Sequence, residues 1–235
     1  MEHDPETAAL IKKYPSLGKA IETGIEVILA ILFTLNIVAD MPQSHDGREE
    51  ALLAFIIAHP DIHNIKGNPS KLLQVIDEFS YTHEFLISIG SHKAKILSDL
   101  IAKEKPSVVV ELGGYLGYSA ILFADVIRKN PGSEGKKFQV WSLETITEFA
   151  AIAQKLIDIG GLSDIVTVVV GPAEESIRML KEVGKLAAAD MLFLDHAEEL
   201  YVSDFKVWPL FYFSLHLDVT AGWRTFRFPN RTLLT

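Results

Sequence analysis

No cysteine occurs among the 235 residues, which removes disulfide frameworks, thiolate-bound metals and thiol nucleophiles from consideration. Such a chain suits a reducing compartment, and a cytoplasmic protein is expected. Basic residues are also scarce: 22 lysines and arginines face 31 acids, a net charge of −9. They are scattered, and an adjacent pair such as Lys136-Lys137 is too small to grip a polyanion. A nucleic-acid partner needs a basic face, so none is expected. Long apolar runs are missing as well. The most apolar stretch, residues 25–39 (IEVILAILFTLNIVA), includes Glu26 and Asn36 and is shorter than the roughly 20 residues that span a bilayer. The first twenty residues carry both signs of charge, unlike a signal peptide. No membrane span is expected, and a monomer acting on a small molecule is favoured.

What the chain does have is apolar content: 49% of it is hydrophobic, enough for one sizeable core. Helical patterns cover 49–59, 71–80 (with Pro69 suited to a first helical position) and 91–103. Strand and helix patterns then alternate: strands at 108–112, 138–144, 165–170 and 191–194, and helices at 118–129, 147–159 and 174–183. That alternation predicts an α/β fold, a parallel sheet with right-handed crossovers and helices on both faces. Three segments are expected: a helical extension over 1–65, an α/β domain over 66–208 and an atypical tail over 209–235.

The strongest local signal is VVVELGGYLGYS at 108–119. Three valines suit a strand covered on both faces. Gly113, Gly114 and Gly117 then permit a sharp turn and the close approach of a ligand. The spacing is G-G-x-x-G rather than the G-x-G-x-x-G of dinucleotide sites, and Glu111 precedes it. A carboxylate repels a phosphate but attracts an ammonium or sulfonium group. S-adenosylmethionine carries both cations and no phosphate, so it is the favoured ligand, with a nicotinamide dinucleotide as the lesser alternative. The next strand ends in Glu144, placed to accept hydrogen bonds from ribose hydroxyls. The fourth delivers Asp195 and His196 at its carboxyl end, where ligands of open α/β sheets bind. Asp195 could hold magnesium, and His196 could meet an adenine edge or simply pack.

The motifs ELGGYLGYS, SLE, IGGLSDIVTVVVG and MLFLDH, with GNPSKLLQVIDEF and FLISIGSHKAKIL before them, resemble the catechol O-methyltransferases over about 66–201. The resemblance implies the Rossmann-like fold of class I S-adenosylmethionine-dependent O-methyltransferases, magnesium as a second cofactor and a catechol-type acceptor. It implies that Ile89 and Gly90 line the methionine side of the donor. Glu111, Tyr115 and Ser119, with Gly113 and Gly117 in the loop, would hold its amino acid part, Glu144 the ribose, Glu174 the adenine amino group and His196 the adenine side. Asp195 matches a metal ligand, and Phe85 an aromatic residue guarding the acceptor.

Two departures accompany the match. Where the family has an aromatic residue and a proton-accepting lysine after the histidine, this chain has Ala197 and Glu198. Glu198, or Glu199, is therefore the expected base. The family's Asp-Asn pair has no counterpart after Val207, and the last strands of its sheet are expected to be missing, leaving the fourth strand with an open edge. A donor-binding protein without turnover is the alternative function.

Overall fold

The computed structural model describes residues 44–131 and 137–196, together with the backbone of 216–218, 225–228 and 231–234. One compact unit spans Gly47–Thr235, so the expected boundary at 65/66 falls inside it. The apolar segment 25–39 and the base candidates Glu198 and Glu199 lie outside the described residues.

The helical lead-in comprises α1 (Arg48–Ala58), α2 (Ile62–Ile65), α3 (Pro69–Thr82) and α4 (Gly90–Glu104). Asn68 starts α3: its side chain accepts a hydrogen bond from the Lys71 amide at 3.1 Å, and Pro69 takes the first turn, where a missing N–H costs nothing. There follow β1 (Val108–Leu112), α5 (Tyr118–Lys129), β2 (Gln139–Glu144), α6 (Thr147–Gly160), β3 (Val166–Val170), α7 (Ala173–Glu182) and β4 (Met191–Leu194). Each element expected from the alternation is present, with ends shifted by at most a residue or two.

Successive strand residues divide between two cores, as the two-residue period of a strand requires. Val109, Val140, Met191 and Phe193 join a cluster with Leu52, Ile76, Ile101, Phe123 and Leu156 from α1, α3, α4, α5 and α6. Val110, Leu112, Trp141, Leu143 and Leu192 face the other way, against Ile177 and Leu180 of α7. Burial on both faces explains why three consecutive valines are tolerated in β1.

The tail departs from expectation. It contributes β5 (His216–Asp218), β6 (Thr225–Phe228) and β7 (Arg231–Leu234), completing a seven-stranded sheet of order β3-β2-β1-β4-β7-β6-β5. The last strands are therefore not missing, and β4 is not an edge. It pairs in parallel with β7, Met191 opposite Thr232 and Phe193 opposite Leu234, while β6 lies antiparallel between β7 and β5. The strands are only three or four residues long, too short for a period to show, and TFRF and RTLL are separated in sequence only by Pro229-Asn230. That arrangement is a compact hairpin pattern, hidden within a tail that has no helical or alternating signature of its own.

Candidate functional site

The tips of β1, β2 and β4 converge through backbone pairing. The Asp195 amide donates to the Leu112 carbonyl at 2.9 Å, and the Gly113 and Gly114 amides donate to the Leu143 carbonyl at 3.0 and 3.2 Å. Gly113 has φ +93°, and a Cβ placed there would lie 2.5 Å from the Asp195 carbonyl oxygen. Only glycine allows that conformation and that contact together. Gly117, at φ +81°, occupies the N-cap of α5, so the loop runs directly into a helix whose amides face the strand tips.

Three carboxylates meet around this loop. Glu111 is completely buried. Ser119 Oγ donates to its Oε1 and Ser142 Oγ to its Oε2 at 2.5 Å. Burial pushes its pKa up to about 8; the two serine hydrogen bonds oppose the rise, and the charges of Asp195 and Glu144 add to it. Glu144, also buried, accepts from the Tyr115 amide at 2.7 Å and from the Ile146 amide at 2.8 Å. Its carboxylate thus fixes both the glycine loop and the entry to α6. Asp195 keeps contact with solvent, yet the protein around it removes enough water to raise its pKa, against the opposing charges of Lys93 and His196.

Tyr115 is the strained member of the loop. Its φ of +43° is uncommon for a residue with a side chain. It is held by the hydrogen bond from its amide to Glu144, by its ring packed edge-on against Phe149 at 5.0 Å, and by its hydroxyl, which donates to Glu49 Oε1 at 2.9 Å.

The other sequence candidates lie at the start of α4, on the segment before it and on α7. Ile89 is buried at the N-cap of α4, and Gly90 opens that helix at φ +67°. Lys93, one turn further on, carries a charge that acts on Asp195. Phe85 is 54% exposed, and its carbonyl accepts from Arg48 Nη1 at 2.6 Å. Glu174 stands in the exposed first turn of α7, paired with Arg178 at 2.6 Å. The loop before that helix is tied to β2 by the Gly171 amide, which donates to the Glu144 carbonyl.

Sequence reasoning missed four participants. Ser142 was accessible to it: two residues before Glu144 on one strand, it shares that side chain's face, and it lies opposite Glu111 in the ladder. Arg48, Glu49 and Lys93 come from helices distant in the chain, and no local spacing marks them.

Among the described residues, no group of three or more histidines, aspartates or glutamates could hold a metal ion. Glu111 and Glu144 are engaged by protein donors, so of these three strand-tip acids Asp195 is the one that could offer an oxygen to a cation. No helix among the described residues is long and apolar enough to cross a membrane.

Comparison with known proteins gives a consistent family. A methyltransferase-domain family model matches residues 110–210. Catechol O-methyltransferase of Bos taurus is 34% identical over 158 residues, covering 67% of this chain and 54% of that protein. The Mus musculus protein of the same name is 33% identical over 149 residues, covering 63% and 54%. A transmembrane O-methyltransferase of Propithecus coquereli is 31% identical over 160 residues, covering 68% of this chain and 54% of its own. The chain thus spans about half the length of these curated relatives. Among solved structures, an O-methyltransferase from Bacillus cereus in complex with SAH aligns at 23% identity and a TM-score of 0.46, covering 73% of this chain and 64% of that one.

Proposed function

Since this chain belongs to the class I O-methyltransferase family, we propose that it binds S-adenosylmethionine at the tips of β1, β2 and β4 and passes the methyl group to a hydroxyl of a catechol-type small molecule. One observation carries the donor assignment. Three acidic side chains surround the glycine loop closely enough for Asp195 and Glu144 to raise the pKa of Glu111. Acids so grouped repel a pyrophosphate, and a cation bound beside them lowers the cost of ionising Glu111. A sulfonium and an ammonium on one ligand supply that charge. The names of the relatives support the catechol acceptor.

In this reading Glu144 and the α5 N-terminus shape the donor pocket, and Glu111 acts from behind it by fixing Ser119 and Ser142. Phe85 shields the acceptor side. The acceptor oxygen forms a bond to the methyl carbon as the carbon–sulfur bond breaks, and the bond electrons neutralise the sulfonium. The hydroxyl proton goes to Glu198, the residue at the position of the family's lysine. Positioning two reactants in line supplies most of the rate enhancement such a site can offer. Among the described residues no group of three or more acids or histidines could hold a metal ion, and no step is assigned to magnesium. A monomeric, cytoplasmic enzyme goes with this reading.

Calorimetric titration with S-adenosylmethionine, with and without magnesium, followed by turnover of a catechol, tests the proposal. Donor binding and methyl transfer are expected. A chain that binds NAD but not S-adenosylmethionine would refute the donor assignment. Glu198 in place of lysine favours a second reading, a donor-binding protein without turnover. Binding without transfer at any magnesium concentration would establish it.

A further inference from the structure

Arg48 and Glu49 form the first turn of α1, and both are buried in spite of their charge. Long charged side chains are rarely buried unless they are held by partners. Here the two neighbours point to different halves of the site. Arg48 Nη1 donates to the Phe85 carbonyl at 2.6 Å, across 37 positions of sequence, and so fixes the segment that leads from α3 into α4. Glu49 accepts the Tyr115 hydroxyl at 2.9 Å, across 66 positions, and so holds the one left-handed, non-glycine residue of the glycine loop. Leu52 and Ile56, one and two turns further along α1, are fully buried in the main core. The turn that carries both side chains is thereby anchored to the rest of the fold.

We propose that this adjacent pair is a positioning device: it joins the acceptor-side segment and the donor loop through a single rigid helical turn. The inference rests on the donor assignment above and deepens it. Arg48 and Glu49 touch neither donor nor acceptor in this scheme; they act through Phe85 and Tyr115. A left-handed backbone is unfavourable for a residue with a side chain, so removing the hydrogen bond at the Tyr115 hydroxyl releases the loop toward ordinary conformations. A wall that moves when the donor loop moves would order the acceptor pocket only once the donor is seated.

The test combines titration of S-adenosylmethionine with hydrogen exchange at the amides of 83–89. Glu49→Ala and, from the other side of the same bond, Tyr115→Phe should each weaken donor binding about tenfold, the equivalent of one hydrogen bond. Glu49→Gln keeps an acceptor of the same shape and should stay within about threefold of the parent. In the parent chain the donor should slow exchange at 83–89. Arg48→Ala should abolish that slowing while changing donor affinity by less than about threefold, a separation that simple loss of stability does not produce. If the parent binds donor normally and Glu49→Ala and Tyr115→Phe bind equally well, or if the donor never slows exchange at 83–89, the brace is overturned and the donor assignment survives. If the parent does not bind S-adenosylmethionine, the donor assignment falls and the brace falls with it.

Discussion

Replacing Glu111 with glutamine should make the protein more stable, and increasingly so as the pH rises. The carboxyl is raised from 4.5 to about 8, chiefly by burial, despite hydrogen bonds from Ser119 and Ser142. Below pH 4.5 it is protonated in folded and unfolded chains alike and makes no difference. As the pH climbs, the unfolded chain loses this proton first, so unfolding gains ground until about pH 8, where the folded chain ionises too. That interval, at roughly 1.4 kcal/mol per pH unit, corresponds to about 5 kcal/mol. Glutamine has similar shape, stays neutral throughout and can still face both serine hydroxyls. Urea unfolding at pH 5, 6.5 and 8 should show the two proteins nearly equal at the lowest value and separating by several kcal/mol at the highest. Titrating groups that do not interact with Glu111 affect both proteins and cancel in the difference; Asp195 and Glu144, whose charges act on Glu111, cancel only in part. Parallel stability curves across that range would refute the burial argument. A second limb ties the charge to the ligand: a cationic donor stabilises the ionised carboxylate, so binding at pH 7 should release protons, detected as a dependence of the calorimetric heat on the ionisation enthalpy of the buffer.

Gly113→Ala combines a φ of +93° with a Cβ 2.5 Å from the Asp195 carbonyl oxygen; a loss of about 2–4 kcal/mol in urea unfolding is expected, together with loss of donor binding. Phe123→Ala empties a fully buried site whose ring meets Phe193 edge-on at 5.2 Å, and should cost about 3–5 kcal/mol by the same measurement. Leu233→Pro, placed opposite Leu192 in the β4–β7 ladder, should lower stability by about 1–3 kcal/mol through loss of a ladder hydrogen bond; unchanged stability would mean that the tail strands add nothing to the sheet.

The sequence made the central α/β region readable because strand and helix periods there are long and consistent. Val108–Leu112, Tyr118–Lys129 and Met191–Leu194 fall where the pattern puts them, and Glu111, Glu144 and Asp195, at or beside the carboxyl ends of β1, β2 and β4, mark the candidate site by position alone. Pairing partners are a different matter. Ser142 meets Glu111 only because β2 pairs with β1 in that register, and Glu49 meets Tyr115 only because α1 packs on the core. Neither contact leaves a spacing in the chain. The tail was misjudged for a related reason: strands of three or four residues carry too few alternations to distinguish them from loop, and their order in the sheet depends on which edge was still free.

Glu111 shows how placement changes the role that residue type suggests. A carboxylate beside a glycine loop reads as a direct counter-ion for a cation, yet the fold withdraws it from solvent and engages both oxygens with serine hydroxyls. Once a cationic ligand draws off its proton, its charge acts across a few ångströms, since low-dielectric surroundings weaken the field less than water does. The geometric duty passes to its neighbours: Ser119 lies in the first turn of α5, and Ser142 lies on the strand that ends in Glu144. A single buried acid therefore orients both the helix N-terminus and the second strand tip. This is also why neutral glutamine, which preserves that geometry, separates the two contributions. If donor affinity falls in Glu111→Gln while stability rises, the charge serves the ligand and burdens the fold. If both are unchanged, the carboxylate is a structural hinge only, and the electrostatic case for a cationic donor must rest on Asp195 and Glu144.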